Sequence, residues 1–149
     1  MESLKFMSES AKFESRIGVV KVGGDVIYRF ITDMRNFKRF IPEDTVKNWN
    51  ATVDKCSFEV SPVGNANLKI TDSEEFTVVK YSGDGLNGTD FYLWVQIKEV
   101  SSDDTRVKLT IKADLNPMIK MMAQKPINDF LEKLVKGVEE FDSWESTAG

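Results

Sequence analysis

The side chains that could do chemistry in this chain are few, and the most informative one is absent. The 149 residues include no histidine and a single cysteine, Cys56. That removes serine–histidine and cysteine–histidine nucleophile schemes and the usual histidine and cysteine ligand sets of zinc. Proton transfer would fall to Asp, Glu, Lys or Tyr. Asp72 and Glu74 stand two apart on strand-like sequence, so their carboxylates share a face, as glycosidic acid/base work would need. They also sit at a strand connection, where charge is usually just solvated. Glu14 and Arg16 form a second such pair. If Gly18, Val20 and Val22 look inward they are a polar anchor in a pocket; if Ile17 and Val19 look inward they are surface groups, and both registers are open. Tyr81 completes the polar candidates. Gly83-Asp84-Gly85-Leu86-Asn87-Gly88 matches the dinucleotide pattern G-x-G-x-x-G, but a strand follows it, so no helix N-terminus is available for a pyrophosphate. It reads as a hairpin loop at a cavity mouth. Cys56, two before Phe58, reads as a small core residue. No catalytic residue, metal ligand or cofactor site is assigned.

Composition narrows the class further. Apolar residues make up 41% and charged residues 30%, the balance of one globular domain with a real core. A net charge of −4 with scattered basic residues argues against nucleic acid and against an anionic membrane surface. No apolar run approaches the roughly 18–20 residues of a membrane span. Residues 1–12 lack the apolar core of a signal peptide, and one cysteine offers no disulfide framework, so a reducing, cytoplasmic setting is expected.

The elements that must position these groups follow from periodicity. Ile127, Phe130, Leu131, Leu134, Val138 and Phe141 recur at three and four, predicting a long amphipathic helix over 117–143. Asp129–Lys133 and Glu132–Lys136 are acid-then-base pairs on its wet side. Met118, Ile119, Met121 and Met122 precede Pro126. They read either as helix core or as an adaptable rim over a cavity, with Pro126 a place for a kink or restart. A first strand is expected over 13–22. A short helix, N-capped by Asp25, runs to about Arg35, and a helical turn at Phe37–Ile41 ends at Pro42. Strands follow near 46–52, 56–61, 66–72, 76–82, 91–100 and 105–115. In the last, Val107, Leu109, Ile111 and Ala113 alternate with Lys108, Thr110, Lys112 and Asp114, one buried face and one wet face. Phe91, Leu93, Val95 and Ile97 match them, with Tyr92, Trp94 and Gln96 opposite. Short connections make this an antiparallel meander. Residues 1–11 are expected to be a loose terminus, 12–143 the domain and 144–149 a tail.

This order, β-α-α-β6-α, resembles the START-like (SRPBCC) superfamily, which includes birch pollen allergens, polyketide cyclases and lipid-transfer START domains. The most similar stretch runs from Val20 through Gly23-Gly24-Asp25 and Phe30 to Asp33, with Ile41-Pro42 at the break before the second strand. The doubled glycine and the methionine-rich lead-in to the last helix depart from the pattern. The resemblance implies an α+β helix-grip fold: a curved antiparallel seven-stranded sheet wrapped round the C-terminal helix, with a cavity between. Cavity linings would come from Phe58, Val60, Leu68 and Ile70, from Leu93, Val95 and Ile97, and from Leu109 and Ile111. Met122, Ile127, Phe130 and Leu134 would face them from the helix. Such a pocket takes a small hydrophobic or amphipathic molecule, lipid-like or polyketide-like. Alternatives are a cyclase or dehydratase using Glu14, Arg16, Asp72 and Tyr81, or an interaction module using Trp49, Tyr92 and Trp94. A protein partner is open, with nothing in the sequence to support it.

Overall fold

The computed structural model describes residues 10–40, 46–60, 64–85 and 89–144. In order come β1 (Ser10–Glu14), β2 (Gly18–Val20), α1 (Gly24–Ile31), α2 (Met34–Phe37), a 3₁₀ turn (Lys38–Phe40), β3 (Val46–Ala51), β4 (Lys55–Val60), β5 (Gly64–Glu74), β6 (Val78–Gly85), β7 (Phe91–Ser101), β8 (Asp104–Asp114) and α3 (Pro117–Glu140). The strands form one antiparallel sheet in the order β1-β8-β7-β6-β5-β4-β3, with β2 also on β8. The sheet curves round α3, giving the expected helix-grip fold. It has eight strands rather than seven.

The extra strand comes from a break in the first one. Ser15 takes both backbone hydrogen bonds of Leu109: its N–H donates to the Leu109 carbonyl and its Oγ accepts from the Leu109 N–H, each at 2.9 Å. The hydroxyl stands in for a backbone carbonyl, and Arg16 and Ile17 bulge outward. Alternation therefore changes phase: Ala11, Phe13 and Ser15 face in, and so do Gly18 and Val20. Neither expected register holds along the whole stretch, and Glu14, Arg16, Ile17 and Val19 are all exposed.

Other expected boundaries shift for identifiable reasons. The cap of α1 is Gly23, not Asp25; the Gly24 N–H is satisfied at 2.8 Å by Glu99 of β7, while Asp25 pairs with Arg29 one turn on. The helix expected to reach Arg35 breaks at Asp33, whose carboxylate accepts from the Arg35 N–H and starts α2. Strand β6 starts at Val78 because Phe76 lies in the left-handed region (φ 67) of the preceding turn, its ring edge-on to Tyr28 and under the Arg29 guanidinium. The strand then runs on through Gly83-Asp84-Gly85, paired with Ala66 to Leu68, so half of the glycine motif is strand rather than loop. Helix α3 ends at Glu140. Ala11 and Trp144 are buried, so the domain takes in parts of both expected termini. The break at Ile41-Pro42, the Pro62 turn and the loop at 86–88 lie outside the described residues.

Helix α3 starts at Asn116, whose side chain accepts from the Ile119 N–H, with Pro117 in the first turn. Its two halves differ. Leu131, Leu134 and Val135 are at most 1% exposed, and Gly137 lets the backbone approach the Phe40 carbonyl, which would stand 2.3 Å from an added Cβ. Arg16 donates to both oxygens of Glu139 at 2.6 and 3.0 Å and pairs with Glu132 at 3.3 Å. Asp129 is paired with Lys125, on the turn before it, rather than standing only as the acid of the expected later pair. Phe30, Phe40, Phe141 and Trp144 pack against one another in tilted and edge-to-face pairs at 4.9–5.5 Å between centroids and plug this end of the grip. The first half, by contrast, exposes Met118, Met121 and Met122 at 70–79%, so those methionines do not fill a core. The helix continues through Pro126 without restarting. Having no N–H, Pro126 cannot donate to the Met122 carbonyl.

Candidate ligand cavity

Beneath that looser half lies a cavity of about 110 Å³. The inward faces of β4 and β5 give it Phe58, Val60, Ala66 and Leu68; β7 and β8 give it Phe91, Leu93, Ile111 and Ala113; Leu115 follows β8. Helix α3 closes it with Ile119, Met122, Ala123, Pro126, Ile127 and Phe130. Thr89 supplies the one hydroxyl on the described lining. The space arises where Ala66, Ala113 and Ala123 present only methyl groups, and Met122 stands at its rim.

Eight of the thirteen residues expected to contact a ligand meet here: Phe58, Val60, Leu68, Leu93, Ile111, Met122, Ile127 and Phe130. Five do not. Val95, Leu109 and Leu134 pack with Ile27, Ile31 and Phe37 at the plugged end, where only about 10 Å³ stays empty. Ile97 packs under Gly24, and Ile70 is half-buried where β5 bulges. The residues not anticipated include Ala66, Phe91, Ala113, Leu115 and Ala123. Phe91 and Ala113 lie in phase with Leu93 and Ile111, so extending the same alternation by one step would have found them.

The polar candidates do not join the cavity. Glu14 is exposed between Lys12 and Lys108, and its hydrogen bond with Lys108 holds its carboxyl below the usual range. Arg16 is committed to Glu139, which it holds below the usual carboxylate range. Asp72 and Glu74 are exposed. Tyr81 is fully buried but donates to the Ile31 carbonyl at 3.1 Å; burial pushes its hydroxyl far above the ordinary tyrosine value, so it acts as a strut under α1. Burial likewise pushes the Cys56 thiol up to about 12. No pair of acid/base groups thus faces the cavity, and no cluster of possible metal ligands occurs among the described residues. The site can remove apolar surface from water.

Residues 18–140 match the family of carbon monoxide dehydrogenase subunits called CoxG. The chain belongs to the CoxG family. No curated protein matches it in sequence, so solved structures place this CoxG chain by fold alone. It is similar to norcoclaurine synthase from Thalictrum flavum, solved with dopamine and hydroxybenzaldehyde (11% identity, 93% of this chain and 92% of that one, TM-score 0.66). It is similar also to a START superfamily protein from Mycobacterium smegmatis (13%, 86% and 94%, TM-score 0.64) and to XoxI from Bacillus cereus (10%, 88% and 93%, TM-score 0.64). The START-like fold expected from the sequence is the fold found. No helix among the described residues is long and apolar enough to cross a membrane.

Proposed function

We propose that this CoxG-family chain binds a small hydrophobic or amphipathic molecule between the sheet and the first half of α3, without transforming it. The observation that carries the reading is a void at one end of an otherwise close-packed core, walled among the described residues by apolar groups and a single hydroxyl. An apolar cavity of about 150 Å³ stays dry and takes benzene; drug-sized ligands need about 300–1,000 Å³. A space of about 110 Å³ accepts one ring or a short chain as it stands. A longer molecule requires the methionine-bearing half of α3 to lift. Among the described residues no salt bridge joins 117–126 to the sheet, whereas Arg16 ties down the second half. The molecule in the norcoclaurine synthase structure does not transfer at this identity, and no observation here favours a cyclase. The family's name, that of an enzyme subunit, supports a setting beside a carbon monoxide dehydrogenase and does not name a ligand.

Titration with N-phenylnaphthylamine, a three-ring probe whose entry requires the first half of α3 to lift, and with benzene, which fits the space as it stands, tests the binding role: the probe's emission should rise and shift to the blue with one site per chain, benzene should compete with it, and native mass spectrometry of freshly purified protein should show any small molecule carried along. Absence of probe binding, of benzene uptake and of any co-purified molecule would dismiss the reading.

A further inference from the structure

Lysines that look scattered in the sequence are gathered by the sheet register. Across its outer face Lys55 pairs with Lys69, Lys69 with Ser82, Ser82 with Tyr92, Tyr92 with Lys112, and Lys112 with Lys12. One row in register thus crosses six strands with four ammonium groups, one phenol and no carboxylate. Trp94 lies beside it in the next row, opposite Lys80. The Lys80 ammonium stands 4.8 Å from the centre of the Tyr92 ring and 5.5 Å from that of Trp94; Lys112 is 5.9 Å from Trp94. Among the described residues no carboxylate pairs with Lys55, Lys69 or Lys112. In a chain of net charge −4, this is a product of placement rather than of composition.

We propose that this row is a docking surface for an extended, acidic segment of another protein. Six strands at about 4.8 Å span roughly 24 Å, the length of about seven extended residues. Four of the six residues of the row lie in a groove of about 760 Å³, with Lys55, Lys69, Ser82 and Tyr92 along it and Asn67, Asp84 and Asp90 on its other side. A groove of this size seats a single chain segment better than a flat bilayer, and the lysines line one side of it. Single-stranded nucleic acid would need bare ring faces for stacking, and here lysine ammoniums stand over them. Tyrosine and tryptophan are the residue types that anchor protein interfaces, and the flanking lysines supply steering and register.

The test uses the full chain and a fluorescein-labelled peptide of alternating glutamate and serine, about eight residues long to match the row. Anisotropy is followed at low and at physiological ionic strength. Binding should weaken with salt, as exposed charge contacts do. The Lys69→Glu/Lys112→Glu variant should lose affinity by roughly tenfold or more, since like charges are then juxtaposed. Lys120→Glu/Lys125→Glu, on the far side of the molecule, should stay within about twofold. All of these positions are exposed, and thermal melts confirm that the variants fold. Saturating N-phenylnaphthylamine should leave the peptide's anisotropy curve unchanged, which separates this site from the cavity. The proposal is overturned by no peptide binding, by equal losses in both variants, or by an oligo-dT strand or phosphatidylserine vesicles binding as tightly as the peptide.

Discussion

Replacing Ala123 by leucine should make the protein more stable, and the sign of that change tests the cavity. Ala123 is buried on α3 and faces the void of about 110 Å³. Leucine adds three carbons, each worth about 0.8 kcal/mol when buried, or roughly 2.4 kcal/mol. Fixing the new side chain returns about 0.5–1 kcal/mol, and its helix propensity is slightly below that of alanine. The net gain is about 1–1.5 kcal/mol. For a chain of this size each kcal/mol moves the midpoint by roughly 2–4 °C, so Tm should rise by about 3–5 °C. Calorimetric or circular dichroism melts measure it, and N-phenylnaphthylamine titration of the same sample should show affinity reduced by tenfold or more, on the order of the 1.4 kcal/mol equivalent. The control is Ala11→Leu. Ala11 is equally buried and is paired with Ala113, yet it is not on the lining, so the same added carbons should overpack and cost about 1–3 kcal/mol. If Ala123→Leu destabilises as much as Ala11→Leu, there is no usable space beneath the helix and the reasoning fails.

Three further outcomes follow from the packed end. Tyr81→Phe leaves the Ile31 carbonyl without its 3.1 Å donor and should cost about 1–2 kcal/mol in urea unfolding, with probe affinity unchanged because Tyr81 is not on the cavity. Gly137→Ala should destabilise by about 1–3 kcal/mol despite the roughly 1 kcal/mol that alanine gains in a helix, because its Cβ would meet the Phe40 carbonyl at 2.3 Å; a higher melting point would contradict the close approach. Glu139 has its folded carboxyl value depressed chiefly by its hydrogen bond with Arg16. Its contribution is therefore present above the unfolded value of about 4.3 and lost as pH falls through the lower folded value. Glu139→Gln should lower stability at neutral pH by about 1 kcal/mol or less for so accessible a pair and flatten the decline below the ordinary glutamate range, as measured by urea titrations at stepped pH.

The fold was legible wherever one periodic pattern ran long enough to identify itself. The alternation of Leu93, Val95 and Ile97 with Tyr92, Trp94 and Gln96 assigned β7 correctly to its two faces, and the stripe from Ile127 to Val138 gave α3. The break between β1 and β2 was hidden because Ser15 replaces a carbonyl with its own hydroxyl, an interaction local periodicity does not encode. The α1 cap was hidden for a related reason: its acceptor is Glu99, 75 positions away. For the cavity, alternation selected the inward side of each strand but not the height along it. Val95 and Leu109 are as inward as Leu93 and Ile111, and fall at the plugged end only because Phe141 and Trp144 turn back on Phe30 and Phe40. The lysine row escaped for the same cause, since Lys12, Lys55, Lys69 and Lys112 become neighbours only through register.

That plug and the void are two sides of one allocation of packing. At about 24 cal/mol per Å³ for a sealed cavity, a space of about 110 Å³ costs at most roughly 2.6 kcal/mol, since its rim at Met122 is open to water; that upper bound is a large share of the 5–15 kcal/mol that holds a typical domain together. The cost is tolerable because the other half of the same helix is over-secured: by a four-ring aromatic cluster, by a glycine seated on a carbonyl, and by a guanidinium clamped to Glu139. Were the void a mere packing defect, a larger residue at position 66, 113 or 123 would remove it at almost no cost elsewhere. Three small side chains converge there from β5, β8 and α3 instead, beneath the only turns of α3 that present methionine to water. An occupant of matching size would regain part of the 2.6 kcal/mol without a new polar contact. Affinity in this chain should therefore follow the apolar volume of the guest, up to the size at which Met122 and its neighbours must move.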